Sequence, residues 1–210
     1  MRQELIELAA AHGLPKLYSF RRCPYAIRAR MALLVADIAF ELIEVELKNK
    51  PAELYLLSAK ATVPVLALAD DRVIDESREI IAWALSHRDP EGWLDCDEDR
   101  AAEFIADCDG RFKYWLDRYK YHVGYPDASQ SGYRAEALDC LHAWDSILRD
   151  QPFLLGDRRS VADLCLFPFV RQFANVDRLW FDQQTSLSAL RKWLNVWLED
   201  ALFTRAMHKV

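Results

Sequence analysis

The stretch from Leu17 to Ala26 (LYSFRRCPYA) most constrains what this chain can fold into. It begins as a short apolar run typical of a strand, passes through a turn, and then places Cys23 and Pro24 at the start of a helical pattern. Proline is favoured at the first helical position, because its missing N–H would have no partner there anyway. The Cys23 sulfur is therefore predicted to lie over the N-terminus of a helix, where backbone N–H groups and the helix dipole favour an anion.

Cys23 in this position is a candidate nucleophile. A cysteine at a helix N-terminus can have a pKa well below the ordinary value of about 8.5, and the thiolate is the reactive form. Arg22 and Arg28 would add positive charge. Ala26 stands where a redox Cys-x-x-Cys motif has its second cysteine, so a mixed disulfide at Cys23 must be resolved by another thiol, most simply one from outside the motif.

The other four cysteines are interpreted as structural: Cys96, Cys108, Cys140 and Cys165. They are scattered, and no pair has the spacing of metal ligands, so no metal site is predicted. Asp95 and Asp97 flank Cys96 and would raise its pKa. With no export signal at the N-terminus, reduced thiols and a cytoplasmic location are expected.

The first half of the chain alternates strand and helix patterns in the order βαβ, α, ββα. The predicted strands are Lys16–Phe20, Phe40–Leu47, a buried strand after the turn in the stretch Ala61–Leu68, and Arg72–Ile74. The predicted helices are Pro24–Ala36, Glu53–Leu57 and Glu76–Leu85. This order fits a four-stranded mixed sheet flanked by helices.

The second half shows only helical patterns. The predicted helices are Glu98–Tyr121, Tyr133–Arg149, Ser160–Val176, Leu187–Leu198 and Asp200–His208, with a loop over Gly124–Gly132. We therefore predict an N-terminal extension over 1–13 carrying an amphipathic helix (Met1–His12), an α/β domain over 14–86, a linker over 87–97 and an all-helical domain over 98–210.

Charge and hydropathy exclude two classes of partner. The net charge of −6 argues against nucleic acid as the main partner, since that requires a basic face. No apolar run approaches the ~20 residues of a membrane span, so no membrane partner is expected.

Two further stretches could complete a site around Cys23. If the bond before Pro64 in Thr62-Val63-Pro64-Val65 is cis, the Val63 N–H and C=O would turn outward beside the thiol, where an extended peptide could pair with them. The alternative is an ordinary trans proline at a strand start.

The second stretch is Asp75-Glu76-Ser77, at a predicted helix start. Ser77 and the nearby N–H groups suit a carboxylate, and Glu76 suits an ammonium group. The alternative is that both residues merely cap the helix.

Together these motifs resemble the cytosolic glutathione transferase superfamily. The resemblance covers nearly the whole chain from Lys16 onward and is greatest to the omega class and related cysteine-type members. It is carried by strand–CPYA–helix, Leu47-Lys-Asn-Lys50-Pro51, Thr62-Val-Pro64, Glu76-Ser77, Gly156-Asp157-Arg-Arg-Ser160-Val-Ala-Asp163 and the helical second half. It implies a thioredoxin-like α/β domain followed by an all-α domain.

The resemblance also implies roles for individual residues, with glutathione as cosubstrate. Cys23 would form a disulfide with glutathione, and Val63, next to cis-Pro64, would pair with its cysteinyl backbone. Glu76 and Ser77 would hold the γ-glutamyl ammonium and carboxylate. Lys50 would neutralise the glycine carboxylate, with Lys48 as the alternative.

Other residues compete for roles in the site. Tyr18, Ser19 and Tyr25 carry hydroxyls of the type that activates glutathione in many family members, although Cys23 is preferred. Tyr25, Arg111 and Tyr114 are candidates for a second-substrate pocket. Ser160 and Asp163 have the spacing of a helix capping box, which is a structural role.

The predicted function is glutathione-dependent thiol transfer through Cys23 on a small disulfide or electrophilic substrate, including dehydroascorbate reduction or deglutathionylation. Two alternatives stay open: conjugation of glutathione to electrophiles, and a non-enzymatic interaction protein of the same fold. A homodimer is expected from the resemblance alone.

Overall fold

A computed structural model of the chain describes residues 13–209, which fall into two compact units. The first comprises the described residues up to Pro90 together with those from Ala201 onward, and the second comprises Glu91–Asp200. The predicted domain boundary puts residues 201–209 in the helical domain, whereas these residues pack with the α/β unit. The amphipathic helix predicted for Met1–His12 lies outside the described residues.

The first unit contains a four-stranded mixed sheet in the order β2-β1-β3-β4. The strands are β1 (Lys16–Ser19), β2 (Glu41–Glu44), β3 (Val65–Ala67) and β4 (Val73–Ile74). β1 runs parallel to β2 and antiparallel to β3, and β3 runs antiparallel to β4. The predicted mixed sheet is confirmed, with strands shorter than their sequence patterns.

Helices flank this sheet. They are α1 (Pro24–Val35), α2 (Ala52–Leu57), α3 (Ser77–His87) and, from the end of the chain, α10 (Ala201–Ala206). α1 packs against both α3 and α10. The contact with α10 includes Arg30, whose Nε donates to the Ala206 carbonyl at 2.7 Å. α1 begins at Pro24 as predicted, so Cys23 is its N-cap residue.

The second unit is helical. Its helices are α4 (Glu98–Asp107), α5 (Lys113–Lys120), α6 (Gln130–Leu148), α7 (Val161–Ala174), α8 (Arg178–Asp182) and α9 (Ser188–Leu198). No helix within residues 13–209 is long and apolar enough to cross a membrane.

Three details of this unit differ from the sequence-based expectation. The helix predicted over Glu98–Tyr121 is interrupted by a π-helical turn at Cys108–Phe112. α6 starts earlier than Tyr133, because the Ser129 hydroxyl accepts the Gly132 N–H at 3.1 Å and caps it. α8 was missed altogether, and it is capped by Asp177, which accepts the Trp180 N–H.

The predicted capping box at the start of α7 is present and does more than cap. The buried Asp163 carboxylate accepts the Ser160 N–H at 3.0 Å and the Ser160 hydroxyl at 2.7 Å. It also accepts the Leu154 N–H and the Trp193 indole N–H, at 3.0 and 2.8 Å. One side chain therefore joins α7 to the preceding loop and to α9.

Candidate functional site

A cavity of about 410 Å³ in the first unit brings together residues from four separate stretches of the chain. Its lining includes Cys23 and all five predicted glutathione-binding residues, together with Tyr25. Those five residues are Lys50, Val63, Pro64, Glu76 and Ser77. The sheet and α1 hold these stretches in place, because a short turn after β1 leads to Cys23 at the start of α1, and β3 follows directly after Pro64.

Cys23 lies at the start of α1 with an extended backbone, and its own carbonyl accepts the Ile27 N–H at 2.9 Å. The thiol is partly buried and donates to the Val63 carbonyl oxygen at 3.6 Å. All five cysteines are thiols rather than disulfides. The predicted placement of a thiol at a helix N-terminus, beside the Val63 backbone, is therefore what the structure contains.

The Val63–Pro64 peptide bond is cis, which resolves the alternative that the sequence left open. The Val63 carbonyl faces the Cys23 thiol, and the Val63 N–H donates to no atom of residues 13–209. A backbone donor and acceptor next to a thiol match the needs of an extended cysteinyl peptide.

Ser77 is the first residue of α3 and is buried, with 3% of its surface exposed. Its hydroxyl accepts two hydrogen bonds from the guanidinium of the buried Arg28, at 3.1 Å from Nε and 2.9 Å from Nη2. The sequence analysis assigned Arg28 to the thiol environment and missed this contact with Ser77. Glu76 occupies the N-cap position, but its side chain makes no capping hydrogen bond, so the simple capping interpretation does not describe this turn.

The Glu76 carboxylate accepts a hydrogen bond from Lys60. Lys60 Nζ also lies 3.8 Å from the Asp75 carboxylate, which in turn accepts the Ser58 hydroxyl at 2.7 Å. The hydrogen bond to Glu76, with the charge of Asp75, raises the pKa of Lys60. Sequence reasoning missed Lys60, because a lone exposed lysine in a turn gives no signal without the structure.

Lys50 is half-buried at the cavity wall and donates to the Ala61 carbonyl at 2.9 Å. Its alternative, Lys48, is exposed and does not line the cavity. The geometry therefore favours Lys50 as the cation of this wall.

The three hydroxyl residues that compete with Cys23 for activating glutathione lie in different places. Tyr18 and Ser19 are buried in β1 and do not line the cavity, and the Ser19 hydroxyl accepts from Arg30. Tyr25 does line it, with the Arg28 guanidinium 5.0 Å from its ring centre.

Arg111 and Tyr114 belong to the second unit. Arg111 lies 3.4 Å from the Asp139 carboxylate on an exposed surface. Tyr114 is half-exposed beneath the Arg118 guanidinium and lines a separate cavity of about 300 Å³. Their role in binding a second substrate stays a prediction.

Two of the other thiols, Cys96 and Cys140, have surroundings that disfavour ionisation. Burial raises the pKa of the Cys140 thiol to about 12, and burial also raises the pKa of Cys96. Within residues 13–209, no group of three or more His, Cys, Asp or Glu side chains is arranged to hold a metal ion.

Comparison with known families assigns the fold. Residues 17–92 match the glutathione S-transferase N-terminal domain, and residues 113–196 match the glutathione S-transferase C-terminal domain. The chain belongs to the glutathione S-transferase family. These two matches together span most of its length.

Individual family members give more detail. Human glutathione S-transferase omega-2 is 38% identical over 65 residues, which is 31% of this chain but only 27% of that protein. Glutathione transferase Omega 2C from Trametes versicolor shares the fold with a TM-score of 0.74 at 18% identity, covering 93% of this chain and 94% of the other. A glutathione S-transferase from Methylobacillus flagellatus, solved with GSH bound, has a TM-score of 0.78 at 18% identity, covering 91% and 98%.

Proposed function

We propose that this glutathione S-transferase is a glutathione-dependent thiol transferase that works through Cys23. The observation that carries the proposal is the position of the Cys23 thiol, at the start of α1 and 3.6 Å from the Val63 carbonyl, in one cavity with Lys50, Glu76 and Ser77. Glutathione is a small peptide with one ammonium group and two carboxylates, and the cavity offers cations, a carboxylate and backbone groups to match.

The proposed chemistry has two exchange steps. The Cys23 thiolate attacks the glutathionyl sulfur of a mixed disulfide, forming a Cys23–glutathione disulfide and releasing the other half as a thiolate. A second glutathione thiolate then attacks the glutathionyl sulfur and restores the Cys23 thiolate. One mixed disulfide and one glutathione thus give one free thiol and one oxidised glutathione, and the reaction needs no other oxidant or reductant.

Two features support a cysteine mechanism over conjugation driven by a hydroxyl. Tyr18 and Ser19 do not line the cavity, and the Ser19 hydroxyl is already engaged by Arg30. Of the three hydroxyls considered for activating glutathione, Tyr18, Ser19 and Tyr25, only Tyr25 lines the cavity. Tyr25→Phe is therefore the variant that would disable conjugation if that residue activated glutathione.

The test compares two activities of the full chain. Reduction of a cysteine–glutathione mixed disulfide and conjugation of glutathione to an aryl halide are measured for the wild type, Cys23→Ser and Tyr25→Phe. The proposal expects Cys23→Ser to lose at least a hundredfold of the reductase activity and Tyr25→Phe to keep most of it. Conjugation that survives Cys23→Ser while reduction is absent from the wild type would establish the conjugating alternative.

The non-enzymatic alternative is tested by binding. An interaction protein of this fold has no need of a glutathione site, so it would show no glutathione binding by calorimetry. We expect the wild type to bind glutathione, to act in the cytoplasm and to form a homodimer.

A further inference from the structure

Arg28 connects the helix that carries Cys23 to the start of α3. It lies five residues after Cys23 on α1, is 1% exposed, and reaches the hydroxyl of Ser77, the first residue of α3. Both hydrogen bonds come from one edge of the guanidinium, through Nε at 3.1 Å and Nη2 at 2.9 Å. The planar fork of arginine makes such a two-point contact rigid, which the single ammonium of lysine cannot reproduce.

This contact fixes the hydrogen-bonding role of Ser77. A serine hydroxyl has two acceptor lone pairs and one O–H donor. Both guanidinium N–H groups use the hydroxyl oxygen as their acceptor, so the O–H must point away from Arg28, and it donates to no atom of residues 13–209. Since Ser77 lines the cavity, its O–H is the group that faces a ligand as a hydrogen-bond donor.

The start of α3 also has a positive electrostatic potential, which favours the same kind of ligand group as a hydrogen-bond donor does. The N-terminus of α3 carries the partial positive charge of the helix dipole, and Arg28 adds a full buried charge beside it. An anion is the partner that both features favour, whereas an ammonium group would be repelled. Glu76 and Asp75, which lie on the same cavity wall, provide the opposite preference one residue earlier in the chain.

We propose that Arg28 is a positioning residue that orients the Ser77 hydroxyl as a dedicated donor and so sets the binding orientation of the γ-glutamyl group, with its α-carboxylate at Ser77 and its ammonium toward Glu76. The inference rests on the proposed function only in taking glutathione as the ligand. It assigns Arg28 no part in the exchange reaction at Cys23.

The test uses two ligands that differ by one carboxylate. Glutathione and 4-aminobutyryl-cysteinylglycine, which lacks the γ-glutamyl α-carboxylate, are titrated by calorimetry into the full chain and its variants. All proteins carry Cys23→Ser, so that binding is measured without turnover. The variants are Arg28→Met, Arg28→Lys, Ser77→Ala and the Arg28→Met/Ser77→Ala pair, each checked for folding by thermal unfolding.

Arg28→Met and Ser77→Ala are each expected to weaken glutathione binding about tenfold, as expected for loss of a charge-assisted hydrogen-bonding arrangement. The double variant should bind glutathione no more weakly than either single variant, because both substitutions remove the same interaction. Binding of the analogue should change less than about twofold in every variant. Arg28→Lys keeps the charge but makes only a single-point contact with the Ser77 hydroxyl, so its affinity for glutathione alone should fall about threefold. This variant serves as the test if Arg28→Met does not fold.

The positioning role would be overturned if the variants lost affinity equally for both ligands. It would also be overturned if the fold-losses of Arg28→Met and Ser77→Ala multiplied in the double variant. The positioning role would also be overturned if the Cys23→Ser chain with Arg28 and Ser77 intact bound the two ligands equally well. These outcomes are separate from failure of thiol transfer, since a chain that binds glutathione with this selectivity but lacks reductase activity would contradict only the proposed function.

Discussion

Lys60 already contacts the two carboxylates that the proposed ligand ammonium would approach, those of Glu76 and Asp75. It donates to Glu76 and lies 3.8 Å from the Asp75 carboxylate, so a γ-glutamyl ammonium must compete with it for these acids. We predict that Lys60→Gln lowers the KM for glutathione about two- to threefold with little change in kcat, a range typical of an exposed ion pair.

Steady-state kinetics with varied glutathione measure this effect. Lys16→Gln is the matched control, because Lys16 lies 4.0 Å from Glu41 in an equally exposed pair outside the cavity lining. A KM that rises in Lys60→Gln would mean that Lys60 helps to hold the ligand instead.

The five cysteines differ sharply in their surroundings, which leads to a prediction about labelling. The pKa of Cys140 is raised to about 12 by burial, so its reactive thiolate forms only as the pH approaches that value. Burial also raises the pKa of Cys96, so its thiolate fraction at neutral pH falls below that of an ordinary cysteine.

At limiting iodoacetamide and neutral pH, the native protein should therefore carry its label on Cys23 and not on Cys96 or Cys140. Peptide mass mapping after quenching identifies the labelled cysteine. In Cys23→Ser, incorporation of label should almost disappear, and label shared evenly among the three cysteines would contradict the assignment.

Local sequence patterns predicted most of the helices and strands. The features that they did not predict are short or depend on tertiary contacts. Pro24 at the start of α1 and the Ser160/Asp163 box at the start of α7 are local signals, and both were read correctly. The five-residue α8 has too few turns for a periodic pattern, so only its cap at Asp177 marks it. The Arg28–Ser77 contact joins residues 49 positions apart, which no local pattern records.

The capping box predicts a large stability effect at one residue. Asp163→Ala would leave two buried backbone N–H groups, the Ser160 hydroxyl and the Trp193 indole N–H without their acceptor. We expect the free energy of unfolding to fall by about 3 kcal/mol, since buried donors without partners are costly.

Urea denaturation measures the change, with Asp97→Ala as the control. Asp97 caps α4 through a single exposed hydrogen bond to the Arg100 N–H, so its loss should cost only about 1 kcal/mol. Similar losses for the two variants would show that Asp163 acts only as a cap.

At the scale of the whole molecule, the fold and the candidate site were predictable to different degrees. The mixed sheet and the helical second half followed from periodicity, whereas the grouping of residues 201–209 with the α/β unit depends on contacts between α10 and α1 that the sequence does not record. The residues of the cavity were named in advance because each stands in a recognisable motif. The contacts that Lys60 makes with Glu76 and Arg28 makes with Ser77 come from tertiary packing and could be found only in the structure.

If Cys23 carries glutathione during turnover, the glutathionylated protein can be detected by intact-protein mass spectrometry. The full chain is incubated with oxidised glutathione and weighed before and after addition of reduced glutathione. We expect one glutathionyl group, located on Cys23, absent from Cys23→Ser and removed by reduced glutathione. An adduct that persists in Cys23→Ser, or no adduct on the wild type, would contradict it.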